Sequence, residues 1–297
     1  MAQTWTPDNV TVYEAKDGTI PAKLNKLILQ EVMENSKVMQ LDKYEEMTEK
    51  EKEFEFFADG PGAYWVGEGE KIQTSKATWM QAKMVAKKLG VIIPCSREFL
   101  HYKLADFFEE MKPKIAEAMY RKFDNAAILN VDNPFPQSVE ESVATAGHAI
   151  TEGGITYDNI LAIEDLLSDD DFDANAFITT KKNRSTLRNV HKIENGVVVE
   201  SLYDRGANTI DGLPAVDLKD MEKGNLYAGD FDYMYYGIPF GLSYKIDESA
   251  QLSTIKNEDG SPVNLFEQEL MALRVTMDVA FMIVKDEAFA KIGATGA

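Results

Sequence analysis

A stripe of apolar residues at helical spacing runs through residues 104–131 and predicts the longest helix of the chain. Its members recur three or four positions apart: Leu104, Phe107, Phe108, Met111, Ile115, Met119, Phe123 and Ile128. At a rise of 1.5 Å per residue, such a helix would be about 40 Å long. Pro113 lies within the stripe, and because an interior proline removes a backbone hydrogen bond at a cost of about 3 kcal/mol, we expect a bend there.

Two other patterns precede this helix. Pro21 suits the first turn of a helix that would run to about Met39. Charged and aromatic residues alternate in KEFEF at 52–56, which predicts a strand. A second strand-like segment follows and ends in LGVIIP at 89–94. Together they predict a two-stranded arm that goes out near 53–58 and returns near 76–93, with an irregular tip between.

Beyond Asn133-Pro134-Phe135-Pro136, which marks a boundary, short helices and strands alternate. The expected elements are a helix capped by Thr156, a strand at 176–180, a short helix at 183–190, a hairpin turned by Asn195-Gly196, and strands in LPAVDL and NLYAGDF. LSYKID at 242–247 alternates as a strand. Asn264 with Glu267 resembles a capping box, which predicts a helix to about Arg274, and 275–283 then alternates as a strand. The mixture predicts an α+β fold.

The tip of the arm, GPGAYWVGEGEKIQTSKATW at 60–79, holds four glycines and two of the three tryptophans of the chain. It fails both phosphate-loop templates, because Glu68 stands where a Walker loop needs lysine and Ile72 replaces the third glycine of a dinucleotide fingerprint. A two-stranded arm cannot bury two tryptophans within itself, so we expect a partner surface to receive them.

Composition excludes several classes of protein. The net charge is −19, which argues against general wrapping of nucleic acid and predicts that any large assembly depends on salt. The single cysteine, Cys95, excludes an intrachain disulfide. The longest apolar runs are too short to cross a bilayer, and the first residues carry no secretory pattern.

No complete catalytic or metal-binding pattern is present, so we predict no enzyme, no metal and no cofactor. Asp169, Asp171 and Asp173 imitate the start of a calcium loop, but alanine at 174 occupies the required glycine position. The three histidines lie far apart. Lys181, Lys182, Arg184 and Arg188 form a basic cluster, which is either a solvated helix face or a contact with another subunit or a scaffold.

The order of these features resembles the major capsid proteins of tailed bacteriophages, with the shell fold named after phage Hong Kong ninety-seven. It looks closest to capsid proteins of long-tailed phages of Gram-positive bacteria. The segments that carry the resemblance cover nearly the whole chain: ILQEVMENSKVMQL at 28–41, GAYWVGEGEKIQTSKATW at 62–79, LGVIIPCSREFL at 89–100, FFEEMKPKIAEAMYRKFDNAAILN at 107–130, DGLPAVDL at 211–218 and NLFEQELMALRVTMDVAFMIVKDEAFAKI at 264–292.

The resemblance implies a division of the chain and a set of partners. The implied segments are an N-terminal arm at 1–22, a first part of the peripheral domain at 23–49, an extended loop at 50–88, the peripheral domain with its spine helix at 89–132, an α+β axial domain at 133–240, and peripheral strands with a C-terminal return at 241–297. Such proteins form hexamers and pentamers of an icosahedral head around double-stranded DNA, without sequence-specific binding. A portal protein is a further implied partner. Because the chain starts almost at the arm, we also expect either a separate scaffolding protein or a scaffolding segment that was already removed.

The resemblance also implies where subunits touch. The candidate contact residues are Tyr64, Trp65, Glu68, Glu70, Lys71, Lys76, Trp79, Arg184 and Arg188. We expect assembly in the bacterial host cytoplasm, a final place in the virion, and no membrane. Some members of the family crosslink a lysine of the extended loop to a neighbour's asparagine, but neither Lys71 nor Lys76 matches that motif. Two alternatives stay open: an encapsulin-type nanocompartment shell and, more remotely, a carboxylate-based hydrolase.

Overall fold

The computed structural model describes residues 22–59, 78–194, 197–257 and 260–293. Within them lie six α-helices: α1 (Ala22–Asn35), α2 (Lys37–Leu41), α3 (Arg97–Leu129), α4 (Val139–Ala146), α5 (Tyr157–Asp169) and α6 (Arg184–Leu187). Short 3₁₀ turns cover Lys181–Asn183, Phe231–Tyr233 and Asp286–Ala288. The predicted N-terminal arm, apart from its last residue, lies outside the described residues.

The strands in the first half of the chain are β1 (Lys43–Tyr44), β2 (Glu51–Asp59), β3 (Thr78–Val85), β4 (Lys87–Ser96), β5 (Ala149–Ile150) and β6 (Ala176–Thr179). Those of the second half are β7 (His191–Glu194), β8 (Val197–Ser201), β9 (Tyr203–Asp204), β10 (Thr209–Ile210), β11 (Leu213–Asp217), β12 (Leu226–Gly229), β13 (Met234–Gly237), β14 (Ser243–Asp247), β15 (Gln251–Lys256), β16 (Pro262–Asn264), β17 (Leu270–Ile283) and β18 (Phe289–Ile292).

The long helix α3 confirms the apolar stripe and is longer than predicted, because it begins at Arg97 and passes through Pro113 without splitting. Ile115, Met119 and Phe123 of the stripe are buried. The helix ends where Asn130 adopts a left-handed conformation with φ 57°, which terminates the backbone ladder. The bend expected at Pro113 stays a prediction.

The predicted first helix is interrupted at Ser36, and the expectation of one continuous helix to Met39 was wrong. Ser36 is extended and its Oγ accepts a hydrogen bond from the Met39 N–H, so it caps a second helix. The carboxylate of Asp124, on α3, accepts hydrogen bonds from Ser36 Oγ at 2.6 Å and from the Lys37 N–H at 2.9 Å. A buried anion at this N-terminus therefore favours starting a new helix over continuing the old one.

The helix predicted from Asn264 to Arg274 does not exist, because these residues form a turn and the start of β17. Asn264 does act locally, but its Oδ1 accepts a hydrogen bond from the Phe266 N–H at 3.3 Å in a turn that ends β16. Ten residues of β17, from Leu270 to Val279, pair with β4 in antiparallel register. This long ladder outweighs the local preference of the sequence for helix.

Two sheets organise the described residues. The first has β17 at its centre, flanked by β4 on one side and by β14 and β13 on the other, with β1 beside β13. The second is a seven-stranded sheet in the order β5-β18-β12-β6-β11-β10-β9. The prediction that Val275, Met277, Val279, Phe281 and Ile283 share one buried face is confirmed.

The second sheet is covered on both faces. Ala176 and Ile178 of β6 pack into the core that contains α3 and α4, whereas Phe177, between them, packs into a second core against α5. Thr156 caps α5 as predicted, by accepting a hydrogen bond from the Asn159 N–H. β13 (residues 234–237) lies in the first sheet, and the C-terminal β18 lies in the second. The predicted segment boundaries stay predictions.

Candidate subunit-contact surfaces

The arm is a two-stranded antiparallel ribbon of β2 and β3, paired from Glu51↔Val85 to Phe57↔Trp79, with a register shift before the last pair, Asp59↔Thr78. It is anchored at its base, where Met84, fully buried, packs with Met47 and Met282. The predicted return to residue 93 was too long, because the ribbon ends at Val85 and the next strand, β4, belongs to the β17 sheet. The arm therefore leaves the body of the subunit from a fixed base.

Most candidate residues of the arm lie outside the described residues: Tyr64, Trp65, Glu68, Glu70, Lys71 and Lys76. Trp79 is placed on β3 opposite Phe57. Their contacts with a neighbouring subunit stay predictions.

A hairpin of β7 and β8 carries the densest exposed apolar surface in the described part of the chain. The hairpin that Asn195-Gly196 predicted is confirmed by its pairing, from His191↔Ser201 to Glu194↔Val197. Ile193, Val197, Val198 and Val199 are between 55% and 65% exposed. Because successive side chains of a strand point to opposite faces, the three consecutive valines of β8 face both sides of the ribbon. Clustered exposed aliphatic side chains on a projecting hairpin are typical of a protein contact.

Sequence reasoning found this hairpin but not its exposure. Three consecutive valines after Asn195-Gly196 were a usable signal, because a two-stranded ribbon that no other strand joins cannot bury both faces.

The basic cluster is only partly available for contacts. The guanidinium of Arg184 forms an ion pair with Asp217 of β11 at 2.5 Å, and Lys182 Nζ donates a hydrogen bond to the Met221 carbonyl oxygen at 3.1 Å. Arg188 is exposed. Arg184 therefore helps to fasten α6 to the second sheet, while Arg188 remains a candidate for an intersubunit contact.

A buried ionic network fixes the C-terminal strand. The ammonium group of Lys291, on β18, lies 2.8 Å from both carboxylate oxygens of Glu140 on α4, and the Tyr227 hydroxyl of β12 donates to the same carboxylate at 2.5 Å. Burial, and then the Glu140 charge, raises the pKa of Tyr227, so its hydroxyl stays a donor. Three elements are thus joined by charge-assisted hydrogen bonds inside the core.

Carboxylates with raised pKa values lie at separate places: Asp42 and Asp124, whose charges interact, lie apart from Glu164. Burial raises the pKa of Asp124 to about 6, and burial together with the charge of Asp211 raises that of Glu164 to about 7. Asp124 lies on α3 and Glu164 on α5, against different cores. Burial also raises the pKa of the Cys95 thiol to about 11, which disfavours the reactive thiolate.

The described residues offer neither a metal site nor a membrane-spanning helix. They contain no group of three or more His, Cys, Asp and Glu side chains arranged to hold a metal ion. No helix among them combines the length and the apolar character that a membrane crossing requires.

Comparison with protein families decides between the remaining interpretations. Residues 17–293 match the model of the phage capsid family. The chain belongs to the phage capsid family. It is 57% identical over 293 residues to the major capsid protein of Staphylococcus phage 80alpha, a match that covers 98% of this chain and 89% of that protein. It is also 27% identical to a probable major capsid protein of Mycobacterium phage D29, over 76% of this chain and 74% of that one.

Solved structures have the same fold. A chain of Mycobacterium phage Adephagia aligns with a TM-score of 0.71 at 19% identity, over 88% of this chain and 91% of that one. The capsid of an empty GTA particle, computed with C5 symmetry, aligns with a TM-score of 0.64 at 13% identity, over 99% of this chain and 96% of that one. The predicted α+β shell fold and the family resemblance are confirmed. A structural shell protein is favoured over the encapsulin-type alternative and over a hydrolase.

Proposed function

We propose that this chain is the major shell subunit of a tailed-phage head. The observation that carries the proposal is its 57% identity, over 98% of its length, to the major capsid protein of Staphylococcus phage 80alpha. Copies of the chain would associate into hexamers and pentamers and close into an icosahedral shell around double-stranded DNA. Head-to-tail contacts around an axis close into rings without needing self-complementary patches.

Two surfaces would make these contacts. The β7–β8 hairpin projects aliphatic side chains that no described part of the same chain covers, and burying one such side chain contributes about 1.5–3 kcal/mol. The β2–β3 arm would reach a neighbouring subunit. These surfaces use different elements, so one subunit can contact more than one neighbour, as a closed shell requires.

The finer assignments belong to the same proposal. A separate scaffolding protein would guide assembly in the host cytoplasm, and a portal protein would occupy one vertex. The charge of −19 favours a container along whose inner surface DNA slides without adhering.

Electron microscopy of the full-length chain, produced in bacteria with its scaffolding protein, tests the proposal. We expect closed shells or isolated rings of five and six subunits. A chain that stays monomeric at every salt concentration, with and without the scaffold, would contradict it.

A further inference from the structure

A cavity of about 210 Å³ lies between β4, α3 and β17 of a single subunit. Its apolar lining comes from four separate parts of the chain: Leu89, Phe123, Ala126, Pro134, Phe135 and Val279. Because an apolar cavity of about 150 Å³ holds benzene, this one has room for a compound of one or two aromatic rings.

The floor of the cavity is aromatic and already ordered. Phe123 and Phe135 are 2% and 8% exposed, and their ring centroids lie 5.9 Å apart at an interplanar angle of 86°. Phe281 packs against both, with centroid distances of 6.2 Å to Phe123 and 5.8 Å to Phe135. Aromatic rings prefer such edge-to-face neighbours. A further ring that enters the cavity would therefore meet a preformed aromatic surface.

A positive charge borders this apolar floor at the end of β4. Lys87 lies directly opposite Val279 in the β4–β17 register, and because opposite residues of paired strands share a face, both lie on the side of the cavity. The nearby Glu51 is already paired with Lys83 at 2.6 Å. No carboxylate of the described residues forms an ion pair with Lys87. Its ammonium group is therefore available to an anion at the rim.

A second ammonium group reaches the rim from α3. Lys122 Nζ lies 2.5 Å from the carboxylate of Asp132, and the two side chains are 46% and 75% exposed. Solvent screens such an exposed ion pair, so it holds Lys122 only weakly. An anion bound in the cavity can therefore share this lysine at little cost.

We propose that the cavity binds a small aromatic carboxylate of one or two rings. The ring would lie against Phe123 and Phe135, and the carboxylate would stay at the rim, where it pairs with Lys87 and Lys122. A neutral aromatic compound would use only the apolar half of the site. A small acid without a ring would gain nothing from the floor. The site lies within one subunit, so it is additional to the shell contacts proposed above and does not depend on them.

Saturation-transfer NMR on the unassembled full-length subunit tests the site, with 2-naphthoate as the probe. Because a ligand of two rings makes few contacts, we expect a dissociation constant of about 1 mM. The neutral analogue 2-naphthalenemethanol should bind about fivefold more weakly, since it lacks the charge-assisted contact. Acetate should not compete with either compound.

A charge deletion assigns the anion to the rim. Lys87→Met should weaken the binding of 2-naphthoate about fivefold and leave the binding of the alcohol unchanged. The matched control is Lys223→Met, an exposed lysine far from the cavity in sequence, which should alter neither affinity. Unchanged affinity of Lys87→Met for 2-naphthoate, or equal affinity of the wild type for acid and alcohol, would overturn the inference.

Filling the cavity supplies a second measurement. Leu89 is half-buried at the edge of the cavity, so Leu89→Trp should place rings in it and abolish the binding of both compounds. Thermal unfolding checks that this variant is folded, and Lys87→Met keeps the test decisive if it is not. A folded Leu89→Trp subunit that binds 2-naphthoate as the wild type does would overturn the inference. Neither readout depends on assembly, so such a result would leave the proposed function intact.

Discussion

Replacing Lys291 by methionine should strongly destabilise the isolated subunit. The Lys291 and Glu140 side chains are only 2% and 8% exposed, and the ammonium group lies 2.8 Å from both carboxylate oxygens. Methionine keeps the length and apolar stem of lysine but removes the positive charge that faces the buried carboxylate. Breaking a buried ion pair by removing one partner costs about 3–5 kcal/mol. At about 2–4 °C per kcal/mol for a chain of this size, the melting temperature should fall by about 6–20 °C.

Thermal and urea unfolding of the unassembled subunit, followed by circular dichroism, would measure this loss. Lys219→Met is the matched control, because Lys219 is 68% exposed and its ion pair with Glu117 is screened by solvent. The double variant Glu140→Leu with Lys291→Met should recover part of the stability, since apolar replacement of both partners removes the buried charge. Recovery should be incomplete because the Tyr227 hydroxyl then loses its acceptor. If Lys291→Met melts within the error of the control, the network does not stabilise the core as argued.

Three further changes test other parts of the structure. Burial raises the pKa of the Asp42 carboxyl well above its ordinary value. The protonated Asp42 therefore contributes its full stability below about pH 4, and this contribution is lost as pH rises through the folded-state pKa. Asp42→Asn should make the melting temperature less dependent on pH, and an unchanged dependence would contradict the argument. Gly229→Ala should cost about 1–3 kcal/mol in urea unfolding, because a Cβ there would lie 2.5 Å from the Phe289 ring, whereas Gly241→Ala, with open space around it, should not. Val198→Asp should abolish shells in electron micrographs without lowering the melting temperature of the monomer, and Val198→Thr should reduce shell formation less. A Val198→Asp monomer that is unfolded would show that the hairpin belongs to the core of the subunit.

Long periodic segments were predictable from the sequence because one physical signal dominated each. The stripe of α3 and the alternating residues of β17 from Val275 to Ile283 both pack into one core, so their type was correct even where their limits were not. The helix predicted from Asn264 and Glu267 was wrong because a capping pattern describes only a local preference. The ten-residue pairing of β17 with β4 is non-local, and sequence spacing does not reveal it.

Contact surfaces were predictable only in part. The arm and the hairpin follow from local patterns, and both are present. The cavity between β4, α3 and β17 joins Leu89, Phe123, Phe135 and Val279, which no local pattern connects. The role of Arg184 was likewise hidden, because Arg184 lies on α6 and its partner Asp217 lies on β11 of the second sheet. Tertiary structure therefore decides which charged residues remain available to a partner.

The net charge and the apolar hairpin imply a particular response of assembly to salt. Subunits of charge −19 repel one another, and because the Debye length falls from about 30 Å at 0.01 M to about 10 Å at 0.1 M salt, moderate salt should promote assembly. Burial of the hairpin valines is insensitive to screening, so the apolar attraction remains while the repulsion weakens. Shell yield measured by light scattering should therefore rise as salt increases over this range. If the yield falls instead, attraction between charged groups outweighs the apolar contact, and the hairpin is not the dominant interface.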